Sequence, residues 1–169
     1  QFLSVAPVDL SRLRLGVTED LGCAPVSQGV RHTFRERVAR FAPAFKSVRW
    51  CDPGLGDAVD VFWLLRGAYM LAKHADRFAH RRDELGALVQ GNVSAALQMD
   101  LTQVSAAHRR QFNLYRTFQA QFDEIDILIC PGVTVFPFAF DQLYPTEIDG
   151  VPMTNYVQWA ALKIGRAHV

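Results

Sequence analysis

What this 169-residue chain lacks narrows it first. Serine is sparse: Ser4, Ser11, Ser27, Ser47, Ser94 and Ser105 are all it has, and none stands in a G-x-S-x-G elbow or a Gly-Gly-Ser-Ser run. Those contexts present a serine hydroxyl beside an oxyanion hole, so no catalytic residue is assigned. Lysine is sparser still, at Lys46, Lys73 and Lys163. Cys23, Cys51 and Cys130 are odd in number and contain no C-x-x-C pair, which excludes a zinc cage and a disulfide framework. A reducing cytoplasm is the simplest compartment for such a chain. His32, His74, His80 and His108 include no i, i+4 pair around a glutamate, so a helical zinc site is excluded as well. Glycines do not cluster, and Gly54-Leu-Gly56 is an isolated turn without the setting of a dinucleotide fingerprint. Neither a cofactor nor a metal is implied. Net charge is +1, and the doublets Arg81-Arg82 and Arg109-Arg110 carry no interleaved aromatics, so nucleic acid is not an expected partner. No apolar run approaches the ~20 residues of a membrane span. Membrane is therefore not expected either.

Half the residues are hydrophobic, enough for one domain with a sizeable core. Leu13, Leu15 and Val17 alternate with Arg12, Arg14 and Gly16, which predicts a short strand. Ser27 caps a predicted helix whose Val30, Phe34, Val38 and Phe41 recur at helical spacing until Pro43 ends it. A second strand is predicted over residues 45–50. Strand, helix, strand with short links is the pattern of a parallel sheet. Asp57 is the expected cap of a long helix to about Phe78, followed by a polar break at Arg81-Arg-Asp-Glu84. Another helix is expected between Leu85 and Met99. Thr102 is the expected cap of a longer one that buries Phe112, Tyr115, Phe118 and Phe122. Asn92-Val93-Ser94 matches a glycosylation sequon but falls on a helix, and its use is not expected.

Residues 125–130 form an almost uninterrupted apolar run closed by Pro131-Gly132, which reads as a strand buried on both faces. Asp123, Glu124 and Asp126 flank it as a solubilising boundary. A hairpin is expected around Glu147-Ile-Asp-Gly150, and Asn155 to Lys163 reads as the first turns of a helix. His74 with Asp76 can be read as a base and its orienter or as charges on an exposed helix face.

The order of these segments resembles the C-terminal half of the amidase signature family. The likeness is carried by Leu13-Arg-Leu-Gly-Val-Thr-Glu-Asp-Leu-Gly22, Pro25-Val-Ser-Gln-Gly-Val30, Gln90-Gly-Asn-Val-Ser-Ala-Ala96, Arg109-Arg110 and Asp126-Ile-Leu-Ile-Cys-Pro131. It continues through Ile148-Asp-Gly-Val-Pro-Met-Thr-Asn-Tyr-Val-Gln-Trp159. The resemblance implies an α/β fold, an incomplete mixed sheet flanked by helices and a fragment of the amidase signature fold. It implies a parent hydrolase that cleaves carbon–nitrogen amide bonds through a serine, a second serine in a cis peptide and a lysine. No stretch of this chain matches that motif, so the expectation is that the catalytic segment lies upstream and that the fragment alone is inactive. The parent's substrate is expected to be a small-molecule amide, a urea-like compound or a glutaminyl amide in an amidotransferase. By position, Pro131, Gly132, Val133, Phe136, Tyr156 and Trp159 are the substrate-pocket wall candidates, with core aromatics as the competing reading of the last three.

Residues 1–163 are thus expected to be amidase-domain sequence. Lys163-Ile-Gly-Arg-Ala-His-Val169 reads as a translation of a common sequencing-adapter string, AAG ATC GGA AGA GCA CAC GTC, which makes 164–169 a suspected non-native tail. The start at Gln1 without methionine is expected to mark a fragment. The competing class is a self-sufficient helical binding module without catalysis. An uncovered apolar strand at residues 125–130 would pair edge to edge, so oligomers are expected of the isolated chain.

Overall fold

Alternation in the first strand decides the sheet. Leu15 and Val17 point to one side and are essentially inaccessible, 1% and 0% exposed. They form a core with Val38, against which Phe34, Phe45, Val48, Ile127 and Ile129 pack. Gly16 faces the other way, where a Cβ would come within 2.5 Å of Ile125 Cδ1 and 3.1 Å of Leu128 Cδ1. Glycine is what lets that side close. The computed structural model from which this is seen describes residues 7–153 and 155–166, with side chains through 163. The suspected tail at 164–169 lies outside the described residues, apart from the backbone of 164–166.

Strand β1 (Arg14–Val17) leads through helix α1 (Gln28–Phe41) to strand β2 (Ser47–Trp50), and strand β3 (Ile127–Ile129) joins from far along the chain. The order is β2-β1-β3. Both pairings are parallel, with Leu15 opposite Val48 on one side and Ile127 on the other. The three segments expected to share one sheet therefore do so. Parallel and antiparallel pairing are found in separate sheets, since the hairpin β4 (Glu147–Ile148) and β5 (Val151–Pro152) forms its own antiparallel pair. Ser27 caps α1 as expected, its Oγ accepting from the Val30 N–H.

The strand buried on all sides is β1. Residues 127–129 are only half-buried and lie on the edge of the described sheet, while Ile125, 2% exposed, packs just before the strand begins. An apolar run reports a preference for burial; which strand gains two neighbours is settled by long-range pairing.

The chain forms two compact units, residues 1–55 with 117–169 and residues 56–116. In the second, helix α2 (Ala58–His80) packs on helix α3 (Ala87–Ala96), burying Val61, Met70, Val93 and Ala96. Asp57 makes no side-chain cap to α2; its carboxylate accepts from Arg110 Nε at 3.0 Å. Asn92 is an interior polar residue, accepting from Arg66 and donating to the Leu88 carbonyl, which accounts for the sequon. Helix α4 (Leu101–Gln121) is capped by Asp100, not Thr102. Asp100 Oδ1 accepts from the Gln103 N–H and Gln103 Oε1 accepts from the Asp100 N–H, a reciprocal capping box. The expected burial of its aromatics is also corrected: Phe112 and Tyr115 are each 60% exposed and Phe122 is exposed too. Helical spacing says which residues share a face, not whether another element covers it.

The acidic residues before β3 are structural. Asp126 accepts from Arg14 Nε at 3.1 Å, Nη2 at 2.8 Å and the Arg14 N–H at 2.7 Å, while the Asp126 N–H donates to the Arg14 carbonyl. Glu124 pairs with Arg49. The Arg14–Asp126 contacts fix the starting ends of β1 and β3, and Arg49 ties β2 to the segment before β3. Arg14 holds the Asp126 carboxyl down to about 2, below its ordinary 3.8. A depressed carboxylate stabilises the fold above its unfolded pKa and loses that contribution as pH falls through the folded value. The stability difference between the native chain and Asp126→Asn, read from urea midpoints, should therefore be full above pH 4 and vanish toward pH 2. A difference that does not change with pH would contradict this.

Candidate functional site

In an open parallel sheet, ligands bind beyond the carboxyl ends of the strands, where the strand order reverses. Here the chain leaves β1 toward β2 on one side and returns to β3 on the other, so the reversal lies at the end of β1. Three loops meet there. The Thr18 N–H donates to the Ile129 carbonyl at 3.0 Å and the Cys51 N–H to the Val17 carbonyl at 2.8 Å, which holds the loops after β2 and β3 to either side of Thr18.

A cleft of ≈ 320 Å³ opens beside the ends of β1 and β2, with Glu19, Asp20, Arg31, Asp52 and the half-exposed Trp50 in its walls. Glu19 and Asp20 are paired with arginine, and Asp52 accepts from the Gly54 N–H at 2.8 Å. Arg31 Nη1 donates to Glu19 at 2.9 Å and Nη2 to Asp20 at 2.7 Å, and Arg35 Nη2 reaches Glu19 at 2.9 Å. Burial opposes ionisation of Glu19, but the bonds from Arg35 and Arg31 outweigh it and hold the carboxyl below its usual range. Burial likewise opposes the charge on Arg31, and the bonds to Asp20 and Glu19 outweigh it, so its pKa is raised. Cys23 stands near this group, where burial and then the charges of Asp20 and Asp52 push its thiol up to about 11. It is neutral at pH 7 and a poor nucleophile. Around Arg31 the cleft therefore offers fixed, paired charge.

The six wall candidates fall in the neighbouring loop and C-terminal segment. Pro131 is buried, and Gly132 and Val133 are exposed. Phe136, 52% exposed, lies on the first turn of α1, where a Cβ on Gly29 would come within 2.8 Å of its Cε2. Tyr156 is half-buried and tilts against Tyr144, ring centroids 6.1 Å apart. Trp159 is half-buried and meets Phe138 edge-on at 5.7 Å. Its segment is a 3₁₀ helix over Gln158–Arg166. The structure ties the loop to this helix through Thr134, whose hydroxyl donates to the Trp159 carbonyl. None of the six lines the charged cleft. The His74–Asp76 reading gives way: Asp76 is paired with His80, Nδ1 to Oδ1 3.3 Å. Among the described residues no three His, Cys, Asp or Glu side chains are grouped to hold a metal. No helix among them is long and apolar enough to cross a membrane.

Two residues that sequence reading passed over hold this region together. Thr134 is 0% exposed, and its carbonyl accepts from the Ser27 N–H at 2.8 Å. Asp149 opens the turn between β4 and β5 at φ 50°, with Gly150 at φ 78°, the primed turn that Asp-Gly favours. Its carboxylate then accepts from the Gln28 N–H at 2.6 Å, putting negative charge on the N-terminus of α1. The Asp-Gly pair signals the turn; nothing local signals a partner 121 residues away. Asp149→Ala should lower stability by about 1 kcal/mol, the usual worth of a helix cap, in urea unfolding. Asp149→Gly should lose less, because glycine relieves the positive φ. An unchanged midpoint in Asp149→Ala would remove the capping role.

No protein-family model matches the chain, and no curated protein sequence does. Solved structures do. A bacterial aryl acylamidase of the amidase signature enzymes superposes on 92% of this chain with a TM-score of 0.74 at 18% identity, using 35% of its own length. A structure described as an unexpected vestigial protein complex that reveals the evolutionary origins of an s-triazine catabolic enzyme matches 90% of the chain, TM-score 0.75 at 17% identity, over 33% of its own length. Its inhibitor-bound form matches with a TM-score of 0.68. The chain spans about a third of the length of the structures it matches. At these identities the likeness is one of fold, and the fold is that of part of an amidase signature enzyme.

Proposed function

We propose that this chain belongs to an amidase-type hydrolase acting on carbon–nitrogen amide bonds and that it supplies part of the substrate-binding wall, not the reacting groups. The observation that carries this reading is the superposition of 92% of the chain on about a third of an aryl acylamidase. The chain's own parallel three-stranded sheet favours an α/β enzyme segment over a helical binding module. The residues are consistent with the division of labour. Among the described residues no serine hydroxyl is hydrogen-bonded to a lysine, and Glu19 and Asp20 at the sheet's rim are paired with Arg31 and Arg35.

In this reading the catalytic serines and lysine come from sequence outside these 169 residues, and the 169 residues alone are inactive. Residues 1–163 are amidase-domain sequence and 164–169 a non-native tail. Pro131, Gly132, Val133, Phe136, Tyr156 and Trp159 form the wall, and exposed Val133 and Phe136 offer apolar surface to an amide substituent. The aromatic content of the loop suits an aryl amide best. A cytoplasmic, cofactor-free enzyme is proposed with it. The test uses 4-nitroacetanilide. The product of the whole gene that carries these codons should release 4-nitroaniline, and the 169-residue chain should release none above a heat-killed control. Hydrolysis by the short chain would refute its inactivity. A whole-gene product that cleaves no anilide or aliphatic amide would refute the amidase assignment.

A further inference from the structure

We propose that Thr134 is a positioning residue that sets the aromatic wall against the N-terminus of α1, an inference that rests on the amidase reading for what the wall binds. Thr134 is fully buried and uses two polar groups in two directions. Its carbonyl accepts from the Ser27 N–H at 2.8 Å, and its hydroxyl donates to the Trp159 carbonyl. Two residues along the same loop, Phe136 lies over Gly29 of the same helical turn. Trp159 carries Phe138 on its edge. One residue thus joins the two aromatic groups of the wall, and the helix turn on which Phe136 rests is itself fixed by the Ser27 and Asp149 caps.

The backbone and side-chain roles are separable by substitution. Thr134→Val keeps the shape and the carbonyl and removes only the hydroxyl; Thr134→Ser keeps the hydroxyl. The experiment labels the full chain with 5-fluorotryptophan and reads Trp50, Trp63 and Trp159 by ¹⁹F NMR, with Trp-to-Phe variants for assignment. Thr134→Val should move or broaden the Trp159 resonance alone and leave the Ser27 amide as protected from hydrogen exchange as in the native chain. Thr134→Ser should restore the resonance. An unmoved Trp159 signal overturns the proposal. So do a shift of all three tryptophans, loss of Ser27 protection or failure to fold, each of which makes Thr134 a core residue. Binding of 4-nitroacetanilide to the product of the whole gene and to its Thr134 variants is the second arm. Thr134→Val should weaken it on the order of tenfold, as loss of one buried hydrogen bond does, and Thr134→Ser should not. If the native whole-gene product binds no anilide, the reading of the wall as an aryl-amide surface fails, while the fluorine spectra still decide the positioning role.

Discussion

Everything in the first unit depends on β1 having a strand on each edge and a helix on one face. Leu15 and Val17 can be fully buried only because α1 covers them, and the backbone of β1 is satisfied only because β2 and β3 supply partners on both sides. The residues that secure this arrangement are charged and lie at its margins. Arg14 clamps Asp126 where β1 and β3 begin, and Arg49 pairs with Glu124 where β3 is approached from β2. The closing contact is steric: Gly16 leaves room for Ile125 and Leu128.

The same constraint places the loops at the carboxyl rim of the sheet. Once β1 is central, its carboxyl end is the reversal point, and the loops after all three strands gather there. One side of that rim became a network of paired charge built on Arg31. The other became an apolar loop resting on the start of α1.

Local signals in the sequence were read correctly where the structure depends on local physics. The alternation at Leu15 and Val17, the Ser27 cap and the Asp-Gly turn each reflect a preference expressed within a few residues. The readings that changed depend on what lies across the fold. The apolar run before Pro131 looked like a central strand, yet β3 is half-buried because no further strand stands beside it among the described residues. Phe112 and Tyr115 share a helix face with nothing in the pattern to say that the face stays open. Thr102 and Asp100 both make good caps, and Gln103 chose between them by completing the box with Asp100. The resemblance located the wall candidates, but the tie between Phe136 and Trp159 runs through Thr134, whose partners are 25 residues and more away.

Native-state hydrogen exchange tests the central place of β1 most directly, because amides bonded within the most protected strand open only with the whole unit. The slowest amides in the first unit should be those of residues 15–18 in β1 and at its end, with Ile127–Ile129 exchanging faster at the edge. Slowest exchange in residues 127–129, with β1 opening first, would contradict the account.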